Sequence, residues 1–224
     1  MATIFEDNFN SYDDGDLNTQ GGWAGDTNWD IQGVIIKEGA KAVKAVFKSG
    51  WGTIAKTGIG RADGRITFYA RMSASNARCE LSLFEGGDFK SALYFLSDGT
   101  IRYYAHNVQT VYKNYVVDFW HECQIEWRTS DHTFRYKIDD GAWTDWWDFY
   151  DYRTWATLDI VRMSAYQSPN VFFDYIAENP IPPPSPNFTD KNNYNGYLAF
   201  IQQYIRHRIN DTTPWRNPQG DLLE

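Results

Sequence analysis

The 224-residue sequence predicts an all-β protein: a two-sheet antiparallel jelly-roll sandwich with a Pro-rich linker and a short C-terminal helix. Three observations predict it. Apolar and polar residues alternate in short runs, the period of a half-buried strand. Turn signals separate those runs at intervals of roughly 8–12 residues. Aromatic residues make up 17% of the chain, enough to fill a sizeable core with side chains that favour strands.

Gly64 to Met72 places Ile66, Phe68, Ala70 and Met72 on one side and Thr67, Tyr69 and Arg71 on the other. Ala77, Cys79, Leu81 and Leu83 alternate with Arg78, Glu80, Ser82 and Phe84. Leu93 and Phe95 lead into Ser97-Asp98-Gly99, a turn, after which Ile101 and Tyr103 resume the pattern. His121 to Arg128 and Thr133 to Ile138 flank a hairpin turn at Thr129-Ser130-Asp131, and Asp139-Asp140-Gly141 is a second tight turn. Leu158 to Met163 and Val171 to Ala177 supply the last strands. About a dozen strands, each with one polar face, imply antiparallel sheets with a solvated side.

Seven of the eight prolines fall after residue 179. Pro180-Ile181-Pro182-Pro183-Pro184-Ser185-Pro186 reads as a stiff extended linker, 180–186, between a β domain, 1–179, and a tail, 187–224. In the tail Tyr194, Tyr197, Leu198, Ile201, Tyr204 and Ile205 recur at helical spacing, which predicts a helix from about 191 to 209. Pro214 opposes its continuation. An isolated helix of this length is marginal in water, so its apolar stripe needs a surface. Tyr197, Leu198, Ile201, Tyr204 and Ile205 are therefore expected to dock on a protein partner or a second copy, with packing on the protein's own domain as the alternative.

The formal charge is −8, all of it carried by residues 1–179. No basic stripe is available to neutralise phosphates, so nucleic acid is not an expected partner. No stretch approaches the roughly 20 apolar residues of a membrane span. The first residues lack the basic start and apolar run of a signal peptide. The expected location is extracellular or on a virion surface. Cys79 and Cys123 each sit on an alternating run, which favours two buried free thiols over a disulfide, and their spacing suits no metal site.

Three segments resemble the concanavalin A-like lectin/glucanase jelly rolls, in particular laminin-G-like modules. They are Phe5-Glu6-Asp7-Asn8-Phe9-Asn10-Ser11-Tyr12 with Gly21-Gly22-Trp23, then Trp120-His121-Glu122-Cys123-Gln124-Ile125-Glu126-Trp127 with the Phe134 to Gly141 hairpin, and Val171 to Ile176. The resemblance covers residues 3–178. It implies architecture rather than activity, because the fold hosts lectins, hydrolases, lyases and structural modules.

The resemblance also points to sites. Laminarinase-type members carry E-x-D-x-x-E on one strand, with the two Glu as nucleophile and acid/base. Here Glu80 and Glu85 match in spacing, but Ser82 stands at the Asp position. A regular strand would also put positions 80 and 85 on opposite faces unless a bulge intervened, whereas a retaining pair must lie about 5–5.5 Å apart. Members of the superfamily often hold a structural calcium ion where the first and last strands meet. Glu6, Asp7 and Asp174 supply hard oxygens there, with a solvated acidic loop as the alternative.

The densest feature is Trp143 to Trp155, where seven of thirteen residues are aromatic. Trp143, Trp146, Trp147, Tyr150 and Trp155 either roof the core or offer flat faces on which a sugar stacks. Asp145, Asp148 and Asp151 could hydrogen-bond its hydroxyls, Trp51 between two glycines is a further exposed ring, and Tyr69, Arg71 and Tyr104 fit a sugar-binding sheet face. The sequence thus supports a non-catalytic surface recognition module with a glycan as partner. A purely structural virion protein and a glycoside hydrolase or polysaccharide lyase are the alternatives. No cofactor is required on the leading reading.

Overall fold

A computed structural model describes residues 5–46, 49–106, 108–148, 155–166 and 171–179. The chain divides into two units, Met1–Asn179 and Pro180–Glu224. The second unit, with its expected helix and the docking stripe of Tyr197, Leu198, Ile201, Tyr204 and Ile205, lies outside the described residues.

Among the described residues the first unit has sixteen strands, more than the dozen or so expected, because several are only two to four residues long. They are β1 (Glu6–Asp7), β2 (Gly15–Asp16), β3 (Trp23–Gly25), β4 (Trp29–Gln32), β5 (Ala42–Ala45), β6 (Trp51–Arg61), β7 (Gly64–Met72) and β8 (Cys79–Glu85). β9 (Asp88–Phe95), β10 (Thr100–Ala105), β11 (Val108–Asn114), β12 (Trp120–Arg128), β13 (Thr133–Ile138), β14 (Trp147–Asp148), β15 (Leu158–Tyr166) and β16 (Val171–Asn179) follow. β7 and β13 coincide with the runs read from the alternation.

Two antiparallel sheets form the sandwich. The nine-stranded sheet runs β14-β13-β12-β7-β16-β5-β4-β2, with β1 pairing to β16. The seven-stranded sheet runs β11-β10-β9-β8-β15-β6-β3. Alternation sends one side of every central strand inward. Ile66, Phe68, Ala70, Met72, Trp127, Phe134 and Phe173 come from the first sheet, and Leu81, Leu83, Leu93, Phe95, Val161 and Met163 from the second; all are fully buried. The Ser91 hydroxyl and the Tyr136 hydroxyl, 3.1 Å apart, join β9 to β13 across this core. Cys79 on β8 and Cys123 on β12 are both buried free thiols. Burial pushes both well above the ordinary thiol range.

Chain ends and corners are fixed by buried polar groups. Asp7 accepts from the Phe9 amide at 3.0 Å, the Tyr12 hydroxyl at 2.6 Å, the Trp23 indole at 2.7 Å and the Lys56 ammonium at 2.7 Å. His121 sits in a similar network. The Val116 amide donates to its Nε2 at 3.0 Å, so Nδ1 carries the proton and donates to Asp139 at 2.8 Å. Both ring nitrogens are thus engaged in holding the 116–121 connection to the β13 turn.

Candidate functional site

The outer faces of the two sheets differ, and the difference locates the site. On the nine-stranded sheet, the protein's own side chains cover the face. Glu126 of β12, 2% exposed, receives Arg65 of β7 at 2.9 and 2.6 Å and Arg135 of β13 at 2.8 Å. Over this trio the 141–147 segment lays two indoles. Arg65 lies 4.9 Å from the Trp143 ring centre, and Arg135 lies 4.7 Å from both Trp143 and Trp146. Arg128 lies 4.1 Å from Trp146. The result is an alternating ladder of guanidinium and indole. A sugar stacking on the same face of either ring would compete with the cations already placed there.

The rest of the aromatic segment faces elsewhere. Trp155 is 5% exposed and packs on Phe134 at 4.5 Å, so it belongs to the core. Trp147 is half-buried against the core, edge-on to His106 at 5.2 Å. Tyr150 lies outside the described residues.

Tyr69, Arg71 and Tyr104 do not share a face. Tyr69 and Arg71 lie on the outer side of β7 in the nine-stranded sheet, whereas Tyr104 lies on the outer side of β10 in the other sheet. Alternation assigns a side of a strand but not the sheet to which the strand belongs. Tyr69 is covered by Lys37 at 5.1 Å and neighbours Tyr175. Arg71 pairs with Asp118 at 2.7 Å.

The acidic residues at the chain ends are held by protein donors. Asp174, fully buried on β16, accepts from the amides of Lys37 at 2.8 Å, Glu38 at 2.9 Å and Tyr175 at 2.8 Å. Burial outweighs these bonds and raises its carboxyl to a pKa of about 6. Glu6 is exposed on β1, in register with Ala177. Among the described residues no group of three or more His, Cys, Asp or Glu is arranged to hold a metal ion.

The outer face of the seven-stranded sheet carries polar and aromatic residues in register. β8 is central, between β9 and β15. Its alternation turns Glu80, Ser82 and Phe84 outward while Cys79, Leu81 and Leu83 face the core. Glu80 lies opposite Tyr94 on one side and Ser164 on the other, and Ser82 lies opposite Ala92 and Arg162. Two donors converge on one oxygen of Glu80, and the Ser82 hydroxyl, 3.4 Å from the Arg162 carbonyl, lies beside it. Arg162 Nη2 lies 3.1 Å, Ser164 Oγ 3.2 Å and Ser82 Oγ 3.5 Å from Oε1. Among the described residues no protein group donates to Oε2. The carboxylate is therefore fixed in orientation, with one oxygen uncommitted among the described residues.

Aromatic rings frame it. Tyr94 packs edge-to-face on Tyr104 at 5.6 Å, and Arg162 stacks over Phe84 at 4.3 Å. Burial, and next the charge of Glu80, push the Tyr94 phenol far above its ordinary range. It stays protonated and able to donate. Further along the face Trp51, 37% exposed, meets Tyr166 at 5.4 Å.

Glu85 does not join Glu80. β9 has a bulge that places Lys90 between the partners of Leu83 and Phe84, but β8 itself stays in regular register with β15. The two glutamates consequently keep opposite parity on the strand. Glu85 instead accepts from the amides of Ala156 at 2.8 Å and Thr157 at 3.1 Å. Chiefly the Ala156 bond holds its carboxyl below the usual range. It clamps the connection into β15. Sequence reasoning misses Arg78, Tyr94, Arg162, Ser164 and Tyr166 as site residues. The only signal is Glu80 and Ser82 within an otherwise apolar run, and their partners on β15 lie more than eighty residues away.

No family model matches the sequence, and no curated protein matches it. Solved structures do match. A sialidase aligns over 96% of this chain and 22% of its own, with TM-score 0.61 and 12% identity, so this chain spans about a fifth of that protein. The globular domain of T. cruzi calreticulin aligns over 93% of this chain and 99% of its own, with TM-score 0.53 and 10% identity. A Bacillus licheniformis β-glucanase aligns over 78% and 97%, with TM-score 0.52 and 12% identity. These likenesses show the fold: the chain is a two-sheet sandwich of the concanavalin A-like jelly-roll class.

Proposed function

We propose that the protein is a carbohydrate-recognition module whose ligand lies across the outer face of the seven-stranded sheet, centred on Glu80. One observation carries this reading. Glu80 is oriented through Oε1 by Arg162 and Ser164 and keeps Oε2 uncommitted among the described residues, as an acceptor for a sugar hydroxyl. Beside it the part-exposed Tyr104 supplies a ring and Tyr94 a phenolic donor, the mixture of apolar bodies and few polar groups that ligand sites use. A fold shared with structures named as a β-glucanase, a transglycosylase and a sialidase supports a saccharide as the ligand class.

Recognition is favoured over hydrolysis. Most retaining and inverting glycosidases use two carboxyls flanking the scissile bond. On this face Glu80 has a guanidinium and hydroxyls as its neighbours, and Glu85 is engaged by backbone amides. The module fits display on a surface assembly, with residues 187–224 as the attachment arm. Affinity gels or a glycan array with the intact protein and with Glu80→Gln test the reading. Binding that weakens in the variant supports it; absence of binding to any glycan sinks it. Release of reducing sugar that disappears in Glu80→Gln would move the protein to the enzymes.

A further inference from the structure

Three cations of the seven-stranded sheet have an anionic partner. Arg162 pairs with Glu80 and Arg102 with Asp98, while Lys90 lies beside Glu85 and Asp88. Arg78 differs. It precedes β8 by one residue with the outward parity of Glu80, and its carbonyl continues the ladder by accepting from the Tyr166 amide at 2.9 Å. Its guanidinium carbon lies 4.9 Å from the Trp51 ring centre and 5.7 Å from that of Tyr166. Among the described residues its guanidinium has no hydrogen-bond or ion-pair partner, and its Nε is buried without one.

A guanidinium packed on two rings is pre-organised. Its fork of N–H groups is fixed in direction, loses little freedom on binding, and matches a carboxylate or sulfate bidentately. A cation with no partner among the described residues is also unexpected on a chain of net charge −8, where general electrostatics would draw a counter-ion from the protein itself. Arg78 stands two residues from Glu80 on the same side of the strand, about 7 Å along it. That separation is on the scale of one pyranose ring.

We infer that Arg78, held by Trp51 and Tyr166, is the receptor for an anionic substituent, and that the ligand is an acidic glycan. This rests on the carbohydrate reading of the same face. The acid group is bound by Arg78, while hydroxyls of the adjoining sugar meet Glu80 Oε2 and the Tyr94 phenol. The arrangement selects charged saccharides over neutral ones of the same backbone. A carboxylate and a sulfate ester both fit the fork.

The test uses the full chain and matched polysaccharide pairs: polygalacturonate against its methyl ester, and dextran sulfate against dextran. Affinity gels or calorimetry at low and high salt read the result, and the two pairs separate carboxylate from sulfate recognition. The expected result is that an acidic member binds more tightly than its neutral counterpart. Arg78→Gln should lose that preference by about tenfold or more. Arg128→Gln, a cation on the opposite sheet, should leave it intact, and Arg78→Lys should restore it only in part because an ammonium cannot reproduce the fork. A thermal melt of each variant separates binding from folding. Neutral members binding as tightly as acidic ones, or Arg78→Gln binding the acidic member unchanged, overturns this inference and leaves the carbohydrate reading standing. Binding to no polysaccharide at all overturns both.

Discussion

The two outer faces of one sandwich hold their central carboxylate differently. On the nine-stranded sheet, Glu126 is neutralised twice, by Arg65 and Arg135, and Trp143 and Trp146 then close over the arginines. On the seven-stranded sheet, Glu80 is neutralised once, by Arg162, and among the described residues no ladder of rings closes over it. A buried carboxylate with both oxygens engaged fixes structure. One with an oxygen left over among the described residues is the proposed site. Aromatic density is therefore a poor guide to function until it is known what the rings already touch.

Four measurements bear on this contrast, in descending order of effect. Glu126→Ala should destabilise the fold by about 3 kcal/mol in urea unfolding, because two partly buried guanidinium groups lose their shared counter-charge. A cost near zero would mean the ladder is ornamental.

Asp174 gives a pH-dependent counterpart on the same sheet. Its folded pKa of about 6 lies above the unfolded value near 3.8, so the folded state binds the extra proton between them. Its contribution is fully present below about pH 4 and is lost as pH rises through 6, an effect of about 3 kcal/mol. Urea midpoints of the wild type measured relative to Asp174→Asn, across pH 4 to 7, should fall in that window. A flat difference would show that the three amide bonds dominate burial.

On the open face, Glu80→Gln should lower glycan affinity by roughly tenfold. Stability should change little, since the amide oxygen still accepts from Ser164 and Arg162. Equal losses in both would make Glu80 a structural group like Glu126. Smallest of all, Trp146→Ala should cost about 1 kcal/mol of stability from lost stacking on Arg128 and Arg135 and leave glycan affinity unchanged. Glycan binding that vanished in this variant would return the site to the aromatic segment.

Legibility from sequence followed local periodicity. β7 and β13 were readable to the residue because one side of each is buried and the other is not. β6 escaped because Gly52, Gly58 and Gly60 dilute its alternation. β11 escaped because it is a sheet edge, with Val108 and Val111 exposed and no residue fully buried. Of the candidate site, Glu80, Trp51 and Tyr104 were visible as residue types in suggestive places. What joined Glu80 to Arg162 and Ser164 is a register between strands far apart in the chain, which no local pattern encodes. The same limit set Tyr69 and Arg71 beside Tyr104 in expectation and on opposite sheets in fact.

The two free thiols have a chemical use of their own. Cys79 belongs to one sheet and Cys123 to the other, both face the sealed interior, and burial keeps both protonated and unreactive. An alkylating reagent can reach them only when the sandwich parts. With no disulfide between them, the rate of iodoacetamide uptake at each cysteine becomes a clock on that parting. Equal rates would report the two layers separating in one event; unequal rates would name the sheet that loosens first.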